Sequence, residues 1–218
     1  MSEPVPQSAV AWWGLFQWFL IVGTIAGGTV IGIMLYFVYK YRYRQDKPEP
    51  TYEPPPARTR VREALILAAI SAILLFGLLG ASTNLTNQIQ YPPANALPIR
   101  VTAFQWNFKF EYQNNVTTLG EVRVPGGEPV VFNVTSSDVF HNFGLPAFKL
   151  KIDAMPGMYN TLWVTAPSVT GNSTLQYQIR CNELCGQGHS FMMATMIVMD
   201  PNAFTQWLTQ AATNQTGG

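Results

Sequence analysis

Charge is scarce in this chain. Asp, Glu, Lys and Arg make up 11% of its 218 residues, and the formal net charge is +1. The basic residues form no stripe interleaved with aromatics, which excludes a nucleic-acid surface. Histidine and cysteine are scarcer still, with two of each. Both histidines, His141 and His189, lie outside the long apolar runs, so no apolar helix carries the histidine cluster that would ligate a haem. No Lys or Arg precedes the first apolar run. A cleaved leader needs a basic start and a shorter core, so this run reads as a retained segment.

What is present begins with that run. Residues 11–38 extend for 28 positions without a formal charge, well beyond the roughly 20 apolar residues that a membrane helix needs. Trp12, Trp13 and Trp18 crowd one end and Tyr36, Tyr39 and Tyr41 the other, as an aromatic belt would. Residues 39–62 form a Pro/Arg-rich loop, and the stretch 40–62 holds seven of the thirteen basic residues. A second apolar run, Ala64–Ala81, predicts another membrane helix over 63–83. The positive-inside rule puts the loop in the cytoplasm and both chain ends outside. Residues 1–10 are then a short outside N-terminus and 84–97 a linker. Glu63 stands at the head of the second helix beside Arg62, where a carboxylate favours the positive end of the helix dipole.

From about Asn84 the composition turns to Thr, Asn and Val in short alternating runs. Residues 100–112 read as one strand with Phe104, Trp106, Phe108, Phe110 and Tyr112 on a single face. Gly120–Val124, Val130–Val134, Thr161–Thr165, Thr174–Arg180 and Ala194–Met199 are further strands, separated by Gly/Pro turns. Many short strands with such punctuation predict a β-sandwich or barrel over 98–200. The tail, 201–218, opens with Asp200-Pro201, a good helix start, and puts Phe204, Trp207 and Leu208 on one face. Five Asn-x-Ser/Thr sequons fall at Asn84, Asn115, Asn133, Asn172 and Asn214. Either glycosylation or the Thr-rich composition alone accounts for them.

The chemistry is concentrated in Cys181-Asn-Glu-Leu-Cys185-Gly-Gln-Gly-His189-Ser-Phe-Met192. Soft thiolate and thioether ligands with imidazole select copper. Two thiolates four residues apart can bridge a pair of copper ions, each taking one histidine and a weaker ligand. His141, forty residues upstream, reaches the loop only if the chain folds back, as a β-sandwich does. A Cys181–Cys185 disulfide and a Cys₂His₂ zinc site are the alternatives, and neither gives Met192 a role.

The run Cys-x-Glu-x-Cys-Gly-x-x-His-Ser-Phe-Met, with Asp138-Val-Phe-His141-x-Phe-x-x-Pro146 and Lys151-Ile-Asp-Ala-Met-Pro-Gly157 before it, resembles the dinuclear copper (CuA) domain of subunit II of cytochrome c oxidase. The resemblance implies a membrane-anchored all-β protein, a two-helix transmembrane hairpin followed by a cupredoxin-like Greek-key β-sandwich. It implies that His141 and Met192 ligate one copper, that His189 and the backbone carbonyl of Glu183 ligate the other, and that Cys181 and Cys185 bridge both. The Glu183 side chain would help to hold a magnesium ion at the border with subunit I. Trp106 would be the surface point of electron input, although Asn107 and Phe108 depart from the family's usual aromatic run. Glu63 would lie near the entrance of a proton pathway.

The function so implied is electron input to a terminal respiratory oxidase. Single electrons would pass from an external cytochrome c or small blue-copper protein to haem in subunit I, for proton-coupled reduction of oxygen to water. Other oxidase subunits would complete the assembly, in the plasma membrane of a prokaryote, with the copper domain on the outer, periplasmic face. The copper subunit of a nitric oxide reductase and a membrane-anchored copper-delivery protein are the competing readings. From residue 90 onward six basic residues face seven acidic ones. So near-neutral a domain steers a charged donor weakly, and donor docking is expected to be mainly apolar.

Overall fold

The computed structural model describes residues 4–43 and 55–216. The Pro-rich middle of the expected cytoplasmic loop therefore lies outside the described residues. By contact the chain divides into two units, residues 13–86 and residues 1–12 together with 87–218.

The first unit is helical. Helix α1 spans Gln7–Lys40 and α2 spans Ala57–Gln90, 34 residues each. At a rise of about 1.5 Å per residue each is about 50 Å long, and both are apolar enough to cross a membrane. The helices outrun the apolar runs that announce them. Residues 57–62, expected in the loop, and 84–90, expected in the linker, are helical. Polarity alone does not break a helix, and the hydroxyls of Thr83 and Thr86 donate back to the carbonyls of Leu79 and Ser82 one turn earlier. The helix stops just before Pro92 and Pro93, the first residues that forbid its continuation. Glu63 consequently sits in the second turn of α2, exposed, and not at its head.

The second unit is a sandwich of two five-stranded sheets. One sheet runs β3 (Thr117–Leu119), β2 (Asn107–Tyr112), β1 (Leu97–Phe104), β5 (Pro129–Ser136), β8 (Asn160–Thr165). The other runs β4 (Glu121–Pro125), β10 (Met193–Met199), β9 (Thr174–Arg180), β6 (His141–Leu145), β7 (Leu150–Ala154). The pairs β1/β5 and β4/β10 are parallel and the other pairs antiparallel. A membrane-anchored all-β architecture is thus present, with five of the expected strands within two residues of their predicted ends.

The sixth expected strand is two. Residues 97–112 form a β1–β2 hairpin in which Phe104 pairs with Asn107 across the two-residue turn Gln105-Trp106. Such a turn reverses the parity of the inward row. Ile99, Val101 and Ala103 point inward on β1, whereas Phe108, Phe110 and Tyr112 do so on β2. Phe104 and Trp106 therefore leave the aromatic face that unbroken alternation assigned to them.

Phe143 holds the sheets together where it matters for the site. Its ring lies 5.2 Å from Phe132, 5.6 Å from Phe108 and 6.3 Å from Phe110, all from the opposite sheet. Those separations are typical of favourable aromatic pairs. Two residues earlier on β6, His141 shares the inward face and is wholly buried.

Both chain ends pack on this unit. The Asp200 carboxylate accepts the backbone N–H groups of Asn202 and Ala203 and starts α3, Pro201–Thr216, as a capping aspartate ahead of Pro does. Phe204 and Trp207 then close on Tyr112, with ring centres 6.3 and 5.4 Å away. At the other end the Tyr177 hydroxyl donates to Pro4 O at 2.8 Å, Ser8 Oγ donates to Phe148 O at 2.9 Å, and Ala9 is buried.

Candidate metal centre

The loop between β9 and β10 carries Cys181 at its first position and Met192 at its last. Its neck is closed by a bond from Cys181 N to Met192 O, 3.1 Å. Inside, a 3₁₀ turn over His189–Phe191 brings the imidazole back toward Cys185. Strand β6 enters from the far side with His141. The topology thus joins residues forty positions apart.

The two thiols are free and buried, with sulfurs 3.8 Å apart. A disulfide would hold them at about 2.05 Å, so that alternative falls. The Nδ1 of His141 is 3.8 Å from Cys181 Sγ, and the Nδ1 of His189 is 3.6 Å from Cys185 Sγ. Met192 Sδ is 3.7 Å from Cys185 Sγ. The Cys181 thiol donates to the backbone carbonyl of Glu183 at 3.3 Å. The Glu183 carboxylate itself is exposed.

These spacings fit a metal. With metal–sulfur bonds of about 2.3 Å, tetrahedral geometry sets two ligating sulfurs about 3.8 Å apart, and sulfur and nitrogen about 3.5 Å apart. His141, Cys181 and Cys185 offer ligand atoms all within 4.8 Å of one another. His189 stands beside Cys185 outside that mutual cluster. The donor set, two thiols, two imidazoles and a buried thioether, fits copper better than zinc, whose usual ligands include no methionine. Burial and the neighbouring Cys181 push the Cys185 thiol up to about 11. A bound cation must therefore displace the Cys185 proton.

Asp138 is the residue that motif reading missed as part of the site. Its Oδ1 accepts from Val139 N at 2.6 Å and faces His141 Nε2 at 2.8 Å, while Oδ2 accepts from Gln105 N at 2.7 Å. Burial opposes its charge, but the Gln105 N–H, the His141 ring and the Val139 N–H outweigh that and hold its carboxyl below the usual range. Because Asp138 occupies Nε2, the other ring nitrogen, Nδ1, is left facing the sulfurs. Carboxylates behind ligating imidazoles fix the tautomer and the ring orientation in this way. The available signal was the spacing Asp-x-x-His itself.

The same carboxylate ties the site to the β1–β2 turn. Gln105 Nε2 and Trp106 Nε1 both donate to the carbonyl of Cys185, at 2.8 and 3.2 Å. Trp106 is 42% exposed and covers the loop from outside. Alternation alone would have buried it. The loop passes beneath the indole as glycine: a Cβ on Gly188 would sit 2.4 Å from the ring. Glu63 belongs to the helical unit and is exposed on α2.

The family model for the periplasmic domain of cytochrome c oxidase subunit II matches residues 114–200. The heme-copper oxidase subunit 2 of Aeropyrum pernix is 36% identical over 217 residues, covering 93% of this chain and 90% of that protein. This chain belongs to the cytochrome c oxidase subunit II family. The subunit 2 of Alkalihalophilus pseudofirmus is 27% identical over 93% of this chain, which spans only 60% of that longer protein. Among solved structures, the periplasmic domain of subunit II of the cytochrome oxidase of Bradyrhizobium japonicum is 30% identical. It superposes with a TM-score of 0.52 and covers 57% of this chain and 99% of that one. This subunit II is thus part of an oxidoreductase complex, with a two-helix membrane anchor, a cupredoxin-like sandwich and a His/Cys/Cys cluster able to bind copper.

Proposed function

We propose that this subunit II is the electron-input subunit of a terminal respiratory oxidase, working through a dinuclear copper centre on the outer face of a prokaryotic plasma membrane. One observation carries this reading: two free thiols 3.8 Å apart with an imidazole at each sulfur. Cys181 and Cys185 would bridge the two ions, His141 and Met192 would complete one, and His189 with the Glu183 carbonyl the other. Bound there, the copper pair supplies a one-electron couple shared over two nuclei. Trp106 roofs the loop, and both thiols are buried from water. His141, Met192, Cys185 and Cys181 are all buried, which opposes a delivery role, since handing copper on requires exchangeable ligands.

Trp106 would receive electrons from a cytochrome c or a small blue-copper protein. Its indole N–H is bonded to the carbonyl of a bridging cysteine, so a short covalent and hydrogen-bonded path leads to the thiols. On the loop that Trp106 covers, Leu184 and Phe191 are 78% and 79% exposed. Subunit I would take the electrons on to haem for reduction of oxygen, with the Glu183 carboxylate holding magnesium at the subunit border. Glu63 would serve the entrance of a proton pathway.

The test uses the full chain in detergent, loaded with copper. Two coppers per chain are expected, together with an electron paramagnetic resonance spectrum of the half-reduced form split equally by both nuclei. One copper, or a single-nucleus spectrum, overturns the reading. For docking, the oxidation rate of a donor by the assembled oxidase should vary little with ionic strength, because Leu184 and Phe191 give the loop exposed apolar surface and the domain is near neutral. A steep fall with added salt would show that charge governs docking.

A further inference from the structure

The five sequons are motifs that the metal centre does not use, and the structure separates them sharply. Attachment of an N-linked sugar requires an enzyme to grip the asparagine amide and the hydroxyl two residues on, so both must stand on accessible backbone. Asn133 fails this requirement. It lies in β5 between two paired strands, its Oδ1 accepts from Thr161 Oγ1 at 3.3 Å, and Thr135 is buried with its hydroxyl donating to Met155 O. Asn84 and Asn214 lie within α2 and α3, where residues i and i+2 do not share a face.

The other two meet it. Asn172 follows Gly171 in a turn before β9, and Asn172, Ser173 and Thr174 are all exposed. Asn115 sits in the β2–β3 turn at φ 63°, a left-handed conformation that asparagine tolerates. It is exposed, as is Thr117, so both groups of this sequon stand on accessible backbone. Beside Asn115 an open cleft of about 290 Å³, lined in part by Arg100, Glu111 and Gln113, offers hydrogen-bonding groups to a first sugar; Asn133 borders the same cleft, but its buried Thr135 denies it the accessible hydroxyl.

We propose that Asn115 and Asn172 carry N-linked glycans and that the other three sequons do not. The inference rests on the outward orientation of the β-domain. The donor is a lipid-phosphate-linked oligosaccharide. The side-chain amide nitrogen bonds to the anomeric carbon, the bond from that carbon to the phosphate oxygen breaks with its electron pair leaving on the lipid phosphate, and the amide gives one proton to a base of the transferase. No oxidant or reductant is consumed. Both glycans stand on turns of the sandwich away from the ligand loop, where they add hydration without occupying the metal centre.

The test is intact-mass and peptide mass spectrometry of the chain purified from its own membranes. The expected result is a mass above the 24.2 kDa polypeptide, with sugar on the peptides containing Asn115 and Asn172 and none on that containing Asn133. Asn115→Gln and Asn172→Gln should each remove one glycan, and the double variant should run at the polypeptide mass. An unmodified native chain, or sugar at Asn133, overturns the proposal. Labelling of the exposed Lys151 on intact cells with a membrane-impermeant amine reagent distinguishes the two ways of failing. If Lys151 reacts and the chain is bare, the glycan proposal falls alone; if Lys151 reacts only after lysis, the outward orientation falls with it.

Discussion

Replacing Gly188 with alanine is expected to slow electron transfer from an external donor by about 100-fold, the order of loss that an ångström-scale displacement of a reacting group produces. The added Cβ would sit 2.4 Å from the indole of Trp106, a separation no two carbons tolerate, so one of the two must move. The loop is the better anchored. It is closed at its neck by Cys181 N to Met192 O and held inside by the buried Cys185 and Met192. The indole is part-exposed, and its hold on the loop is one bond of 3.2 Å to Cys185 O. Trp106 should therefore swing away and lose that bond while the copper content stays at the wild-type level. Stopped-flow oxidation of the donor, read beside metal analysis of the same sample, makes the measurement. A wild-type rate in a fully loaded variant would mean that electrons do not come in through Trp106.

The largest loss is expected from Cys185→Ser. This sulfur is the hub of the cluster, lying within 4 Å of Cys181 Sγ, His189 Nδ1 and Met192 Sδ. A hydroxyl there is a hard donor with little affinity for copper, so the proposed second bridge is lost with the sulfur. At most one copper should remain per chain, the spectrum of the half-reduced pair should vanish, and donor oxidation by the assembled oxidase should fall to background. Unfolding would not be the cause. A buried hydroxyl without a partner costs about 1–3 kcal/mol, less than the roughly 5–15 kcal/mol by which a domain is ordinarily stable. Retention of two coppers with an equally split spectrum would remove Cys185 from its bridging role.

The gathering of candidate donors was legible because most of it is local. Cys181, Cys185, His189 and Met192 share twelve residues, and soft donors so concentrated in a chain with so few of them leave little else to infer. His141 was legible through its own motif, but its burial beside Phe143 follows from pairings between sheets that no linear pattern contains. The hairpin at Gln105-Trp106 was hidden because the turn has neither the Asn-Gly nor the Asp-Gly that marks most such turns. The aromatic alternation also runs straight through it, and the clue lay in the opposite parity of Ile99, Val101 and Ala103. Strands β6 and β7 were missed for a related reason. β6 is buried along its whole length, so it shows no alternation, and β7 is only five residues long. The bonds of Asp138 to Gln105 and His141 needed coordinates, since the Gln105 bond joins residues 33 positions apart.

The seat of residues 4–9 on the sandwich bears on the order in which the molecule is assembled. Pro4 and Ser8 are among the first residues of the described chain to be synthesised, yet their partners Tyr177 and Phe148 lie 173 and 140 positions later. Contacts so distant along the chain form only after the intervening segments are in place. Both membrane helices are therefore made before the N-terminal segment can dock. Tyr177 belongs to β9, four residues before Cys181, so this last closure braces the strand that leads into the ligand loop. A fragment starting beyond α2 would leave the Tyr177 hydroxyl without its Pro4 carbonyl and uncover the seat of Ala9, so the sandwich is completed by a segment made before either membrane helix is finished.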